Sequence, residues 1–164
     1  MLENEPFEKL PVPYIPLAKV KHYPPMLRFG VAVPDPHTVF QQAALKHNLC
    51  DPDQLGTTKS FFLLRELVTA LINERCDLPP EEAVTWKLIH SKEADLVFEI
   101  ATNYGAQVPK SKLDDVLRGI REVISLPDDA HPKWYLEPTI VGKAPDEYRL
   151  LCESWISTTM RRIV

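Results

Sequence analysis

The chain has little of what usually announces a function. Glycine is scarce: Gly30, Gly56, Gly105, Gly119 and Gly142 are all isolated, so none builds the glycine-rich loop that cradles a phosphate. Cysteine is scarcer still. Cys50, Cys76 and Cys152 are scattered and odd in number, unlike the even, closely spaced framework of a small disulfide-stapled secreted domain. No apolar run approaches the ~18 residues of a membrane span. The first residues, Met1-Leu2-Glu3-Asn4-Glu5-Pro6, put acidic side chains where a signal peptide has its apolar stretch. The default expectation is therefore a cytoplasmic protein with reduced thiols. A basic surplus is also missing. Nineteen lysines and arginines stand against 23 acidic residues, a formal net charge of -4. Nucleic-acid binders usually show a basic stripe. Here the basic groups amount to Lys19, Lys21, His22 and Arg28, and the pair Arg161 and Arg162, so nucleic acid is a disfavoured partner.

What is present fits one globular domain. The 164 residues are 45% hydrophobic and 26% charged, enough apolar surface to offset the entropy of ordering. Proline is abundant: 16 residues, about twice the ordinary ~5% usage. Half of them precede residue 37, which marks residues 1–26 as an extended, proline-rich arm. Proline lacks an N–H and clashes inside a helix, so helices are expected between the prolines.

Apolar spacing of three and four residues fills those intervals. Asp35-Pro36 starts a helix that ends near Asn48. A second runs from Thr57 or Thr58 to about Cys76, apolar around most of its circumference and hence expected to be the most buried. A third starts at Pro80, falters at His90–Asp95, resumes at Leu96 and stops at Gly105, either broken with Ser91 as a new cap or one long helix with a polar exposed middle. A fourth opens at Ser111, with Asp114 completing a capping box. A last runs from Pro145 to about Arg162. Leu27–Val33 looks extended, with room for one short pairing to residues 139–141. The predicted fold is mainly α: a bundle of five to six helices over residues 27–164, with the arm attached.

Candidate chemistry is thin. His47-x-x-Cys50 has the spacing of half a zinc site, but no second Cys/His pair completes it. Asp128, Asp129 and His131 share one loop, where Asp and Pro are ordinary turn formers. His90 and Glu93 would share a helical face. No metal and no cofactor is expected. Cys152 and Cys76 read as small core residues. Trp134-Tyr135 sits in the long interval from Pro127 to Pro145 and is the natural aromatic anchor for a partner. The arm segment Leu10–Leu17 contains Pro13-x-x-Pro16, a minimal polyproline ligand, and its Tyr14, Ile15 and Leu17 suit wrapping on this chain or a second copy.

The resulting expectation is a non-enzymatic interaction or regulatory protein. Its partner, a protein or a second copy, would meet Tyr14, Ile15, Leu17, Trp134 and Tyr135. The alternative is a small enzyme or ligand-binding protein with His90, Glu93, Asp129 and His131 around one pocket. Convergence of those four side chains decides between them.

Overall fold

The computed structural model describes residues 6–20, 24–55, 58–89 and 91–137. These residues do not form an all-α bundle. They form three helices and a five-stranded antiparallel sheet. In chain order the elements are β1 (Leu27–Val33), α1 (Pro36–Lys46), α2 (Thr58–Arg75), β2 (Thr85–Leu88), β3 (Leu96–Thr102), β4 (Gly105–Ala106), α3 (Leu113–Ile124) and β5 (Lys133–Leu136). The sheet runs β2-β3-β1-β5, with β4 hairpinned onto the end of β3.

The error of the helical reading lies in residues 80–105. After a short 3-10 turn at Pro80–Glu82, Val84, Trp86 and Leu88 alternate with Thr85 and Lys87, a period of two rather than 3.6. Thr85–Leu88 pairs with Glu99–Leu96. Leu96, Val97 and Ile100 satisfy helical spacing by coincidence. The whole stretch Leu96–Ile100 is buried, as expected of a strand covered on both faces. His90 is outside the described residues. Ser91 caps no helix: its hydroxyl accepts from the Glu93 N–H at 3.1 Å inside the β2–β3 turn. Gly105 is a hairpin residue facing Thr102, not a helix stop. Likewise Trp134-Tyr135 belongs to a strand. β5 pairs with β1 through Leu27–Leu136, Arg28–Tyr135 and Phe29–Trp134. The expected partners at 139–141 and the helix at 145–162 lie outside the described residues.

Where the helical spacing was bounded by good end signals it holds. Asp35 adopts a left-handed backbone and accepts from the Thr38 N–H, and Pro36 opens α1. α3 begins at Leu113, but its N-cap residue is Lys112 and no side chain caps it, so Ser111 and Asp114 form no capping box. α2 is less buried than expected: Phe62 and Leu63 are each 54% exposed.

All three helices cover one face of the sheet. Val31 and Val33 of β1 and Leu96, Phe98 and Ile100 of β3 pack there against Phe40, Leu64, Val68, Ile72, Val116 and Ile120. The opposite face holds Val97, Tyr135, Ile89 and Ala94. A bulge between Phe29 and Gly30 brings the two backbones so close that a Cβ on Gly30 would lie 2.0 Å from the Phe98 carbonyl oxygen. The arm is part of this fold. Phe7 exchanges backbone hydrogen bonds with Trp134 at 2.9 and 2.8 Å, and Tyr14 is buried with Leu27 and Leu136, while Phe7, Leu10 and Trp134 pack around them.

Candidate functional site

The end of the sheet where β1 leaves for α1 carries two cavities separated by the β2–β3 turn. The larger, about 510 Å³, lies on the helical side and is lined by Asp35, His37, Phe61, Arg65, Leu88 and Asp95 among others. Arg65 is its unusual member. Spacing on α2 puts Phe61, Arg65 and Val68 on one stripe, so a cation occupies a position that burial assigns to an apolar residue. It is 3% exposed.

Three rings hold its guanidinium. The Cζ atom lies 4.6 Å from the Phe61 ring centroid, 4.2 Å from Phe62 and 3.8 Å from Trp86. The Trp86 indole is itself fixed, since its Nε1–H donates to Glu66 at 2.9 Å. Aromatic faces attract a cation by roughly 2 kcal/mol or more when the contact is desolvated. They do not satisfy its donors in the way an oxygen would. The Arg65 Nε and Nη2 atoms are buried without a hydrogen-bond partner, and an unmet buried donor costs about 1–3 kcal/mol. Burial holds the guanidinium below its ordinary pKa, and the nearby Glu66 charge only partly offsets this. An oxygen anion supplied from outside would meet both deficits.

The smaller cavity, about 320 Å³, lies on the other face of the sheet and brings together Glu93, Asp129, His131, Lys133 and Tyr135. Three of the four residues expected around one pocket do therefore converge, and His90 is outside the described residues. The His131, Lys133 and Glu93 side chains are already engaged, however. The His131 Nδ1 lies 2.9 Å from the Asp129 backbone oxygen, and its Nε2 lies 3.0 Å from the Glu8 carboxylate. Both nitrogens face acceptors, an arrangement that suits imidazolium. The backbone contact and then Glu8 raise the His131 pKa accordingly. General-base catalysis needs a free ring lone pair, which this geometry does not offer. Lys133 Nζ is likewise engaged, 3.1 Å from Glu93 and 3.6 Å from Glu8. Burial, then the charges of Glu93 and Glu8, push the Tyr135 hydroxyl well above its ordinary pKa.

The residues expected to meet a partner are divided by the structure. Tyr14 and Tyr135 are buried and Trp134 is half-buried. Tyr14 and Trp134 belong to one apolar cluster, and Trp134 also packs on Phe29 with ring centroids 4.9 Å apart. Ile15 and Leu17 remain exposed at 38% and 36%. His47 ties α1 to α3 and α2, with Nε2 3.1 Å from the Val123 oxygen and Nδ1 3.3 Å from Arg75. Cys50 and Cys76 are free thiols, and burial raises the Cys76 pKa. Cys152 is outside the described residues. Among the described residues no three His, Cys, Asp or Glu side chains gather as metal ligands do, and no helix is long and apolar enough to cross a membrane.

No protein-family model, curated protein or solved structure matches the chain. The site therefore rests on its own geometry. Sequence reasoning passed over Arg65, although one signal was there. The inner stripe of α2 reads Phe61, Leu64, Arg65, Val68 and Ile72, and a lone cation inside such a stripe must be paired, caged or ligand-bound.

Proposed function

We propose that this chain is a non-enzymatic binding protein whose site is the 510 Å³ cavity, and that the group it recognises is an anion. One observation carries the reading: Arg65 is caged by three aromatic rings, with two buried N–H-bearing nitrogens left without acceptors. The volume suits a small ligand, since such sites commonly span about 300–1,000 Å³. Phe62 covers one side of the guanidinium yet is more than half exposed. A turn of that ring, which gives up its own contact with the cation, opens that side of the guanidinium, and exposed side chains change rotamer rapidly. The committed state of His131 and Lys133 supports a binding role over an acid–base one.

The test is tryptophan fluorescence of the full chain titrated with acetate, inorganic phosphate and sulfate at low salt. Trp86 stacks on the guanidinium, so occupancy changes its emission. A saturable response to at least one anion, lost in Arg65→Met with unchanged circular dichroism, is expected. No response to any of the three, or the same response in Arg65→Met, would overturn the reading.

A further inference from the structure

The cavity that holds Arg65 has a second chemical feature, and together they narrow the ligand. Its lining carries three carboxylates, Asp35, Glu93 and Asp95, against two cations, Arg65 and Lys92. The three are not equivalent. Asp35 is used by the first turn of α1, accepting from the Thr38 N–H. Glu93 reaches to Lys133 on the other side of the turn. Asp95 is exposed, and among the described residues its side chain has no ion pair. One pocket thus holds a caged cation lacking an acceptor and a rim carboxylate lacking a cation.

This asymmetry selects against the commonest anion. Phosphate carries between one and two negative charges near neutral pH. It would find two cations, the caged Arg65 and Lys92, against three carboxylates. Like charges brought together in a partly dry cavity cost several times what they cost in water. A simple carboxylate would satisfy the Arg65 donors but leave the acidic rim uncompensated. A molecule with a carboxylate at one end and an ammonium at the other answers both.

Resting on the anion-binding reading above, we infer that the ligand is a small zwitterion of the aminocarboxylate class. Its carboxylate sits on Arg65 and its ammonium faces Asp95 and Asp35. Phe61 and Leu88 in the cavity lining accommodate the apolar carbons between the two charges. Two features of the fold enter this assignment: the unmet donors on Arg65 and, in the same lining, the exposed Asp95 carboxylate.

The experiment is calorimetric titration of the full chain with aminocarboxylates from glycine to 6-aminohexanoate. Each is compared with the amine-free acid of equal length, acetate to hexanoate, and with inorganic phosphate. At least one aminocarboxylate is expected to bind about tenfold or more tighter than its amine-free match, the scale of a hydrogen bond to a charged group. Asp95→Asn should remove most of that difference, with the amine-free acid bound at least as tightly as before because one repelling carboxylate is gone. Arg65→Met should abolish both. Because Arg65 is buried, Asp95→Asn is the variant free of folding effects, and its exposed position makes it the decisive one. Equal binding of amines and amine-free acids, still dependent on Arg65, would overturn the zwitterion inference and leave the anion site standing. Binding of phosphate alone would do the same. Binding of nothing would overturn both.

Discussion

The side-chain amide of Asn103 donates to the carbonyl oxygen of Tyr14 at 2.8 Å, across 89 residues of chain. The same amide nitrogen donates to the Pro25 carbonyl oxygen at 2.9 Å, and its oxygen accepts from the Leu27 N–H at 2.9 Å. Asn103 is buried and sits in the β3–β4 hairpin. One residue therefore pins the arm to the sheet. Asn103→Ala strands one donor and two acceptors in a buried place, and should cost about 2–4 kcal/mol, several unmet groups at 1–3 each with partial relaxation. It should also free the arm for cleavage. Urea unfolding and limited proteolysis within residues 6–20 check both. An unchanged midpoint together with an uncut arm would refute the pinning role.

Arg28 joins β1 to β3 and to the residue after β5 through ion pairs with Glu99 and Glu137. Burial lowers the Arg28 pKa, but the hydrogen bonds and charges of the two carboxylates outweigh it and leave the net shift upward. Arg28→Met leaves both carboxylates without a partner and should destabilise the chain by about 3–5 kcal/mol, the usual cost of breaking a buried pair. The double variant Arg28→Met/Glu99→Met should recover a large part of that loss. If the double variant is as unstable as the sum of its singles, the ion pair is not what the mutation breaks.

Gly30 tolerates no side chain. With a Cβ 2.0 Å from the Phe98 oxygen, Gly30→Ala must push β1 and β3 apart at the bulge. The expected loss is at least about 3 kcal/mol, the upper end of overpacking costs. Thermal unfolding measures it, and a melting temperature within a degree or two of the parent would contradict the bulge geometry.

The contact between His131 and Glu8 gives a small pH dependence of defined sign. The folded His131 pKa is raised from its ordinary 6.5, the Asp129 backbone oxygen contributing most and Glu8 next. A raised pKa means the folded state binds the proton more tightly. The contribution is complete below the unfolded pKa and disappears as pH rises through the folded one. Both side chains are more than half exposed, so solvent and salt screen the pair and its worth is at most about 1 kcal/mol. Stability measured by urea from pH 5 to 8 should show the decline, and Glu8→Gln should flatten part of it. A stability that climbs with pH in the parent but not in Glu8→Gln would reverse the assigned sign.

The sequence was legible where local signals agree with the final fold. Asp35-Pro36 marks the start of α1 because cap and proline act within one turn. α2 and α3 follow from long apolar periodicity, although Phe62 and Leu63 show that periodicity does not say which apolar residues are left outside. Leu27–Val33 reads as extended because Phe29, Val31 and Val33, aromatic or β-branched, fall at alternate positions. β3 misled for a physical reason. A strand buried on both faces has no alternation, and Leu96, Val97 and Ile100 then match helical spacing equally well. β5 was hidden by the reverse effect: Lys133–Leu136 is only four residues long, and its strand character comes from β1 and from Phe7. The site was legible only in part. Glu93, Asp129 and His131 do share a cavity, but Arg65 depends on Trp86, and their 3.8 Å contact requires the β2 strand that the helical reading had removed.

The caged, acceptor-poor state of Arg65 is the centre of this account, and its Nε–H signal in a proton–nitrogen correlation spectrum reports it directly. Three nearby rings should shift that proton upfield of the other arginines in the free protein. Adding the aminocarboxylate that binds best should move it downfield, as an oxygen takes up the hydrogen bond, and Arg65→Lys should remove the signal altogether. An Arg65 signal at the position of solvent-exposed arginines, unmoved by aminocarboxylate and by its amine-free match alike, would contradict the cage and the site built on it.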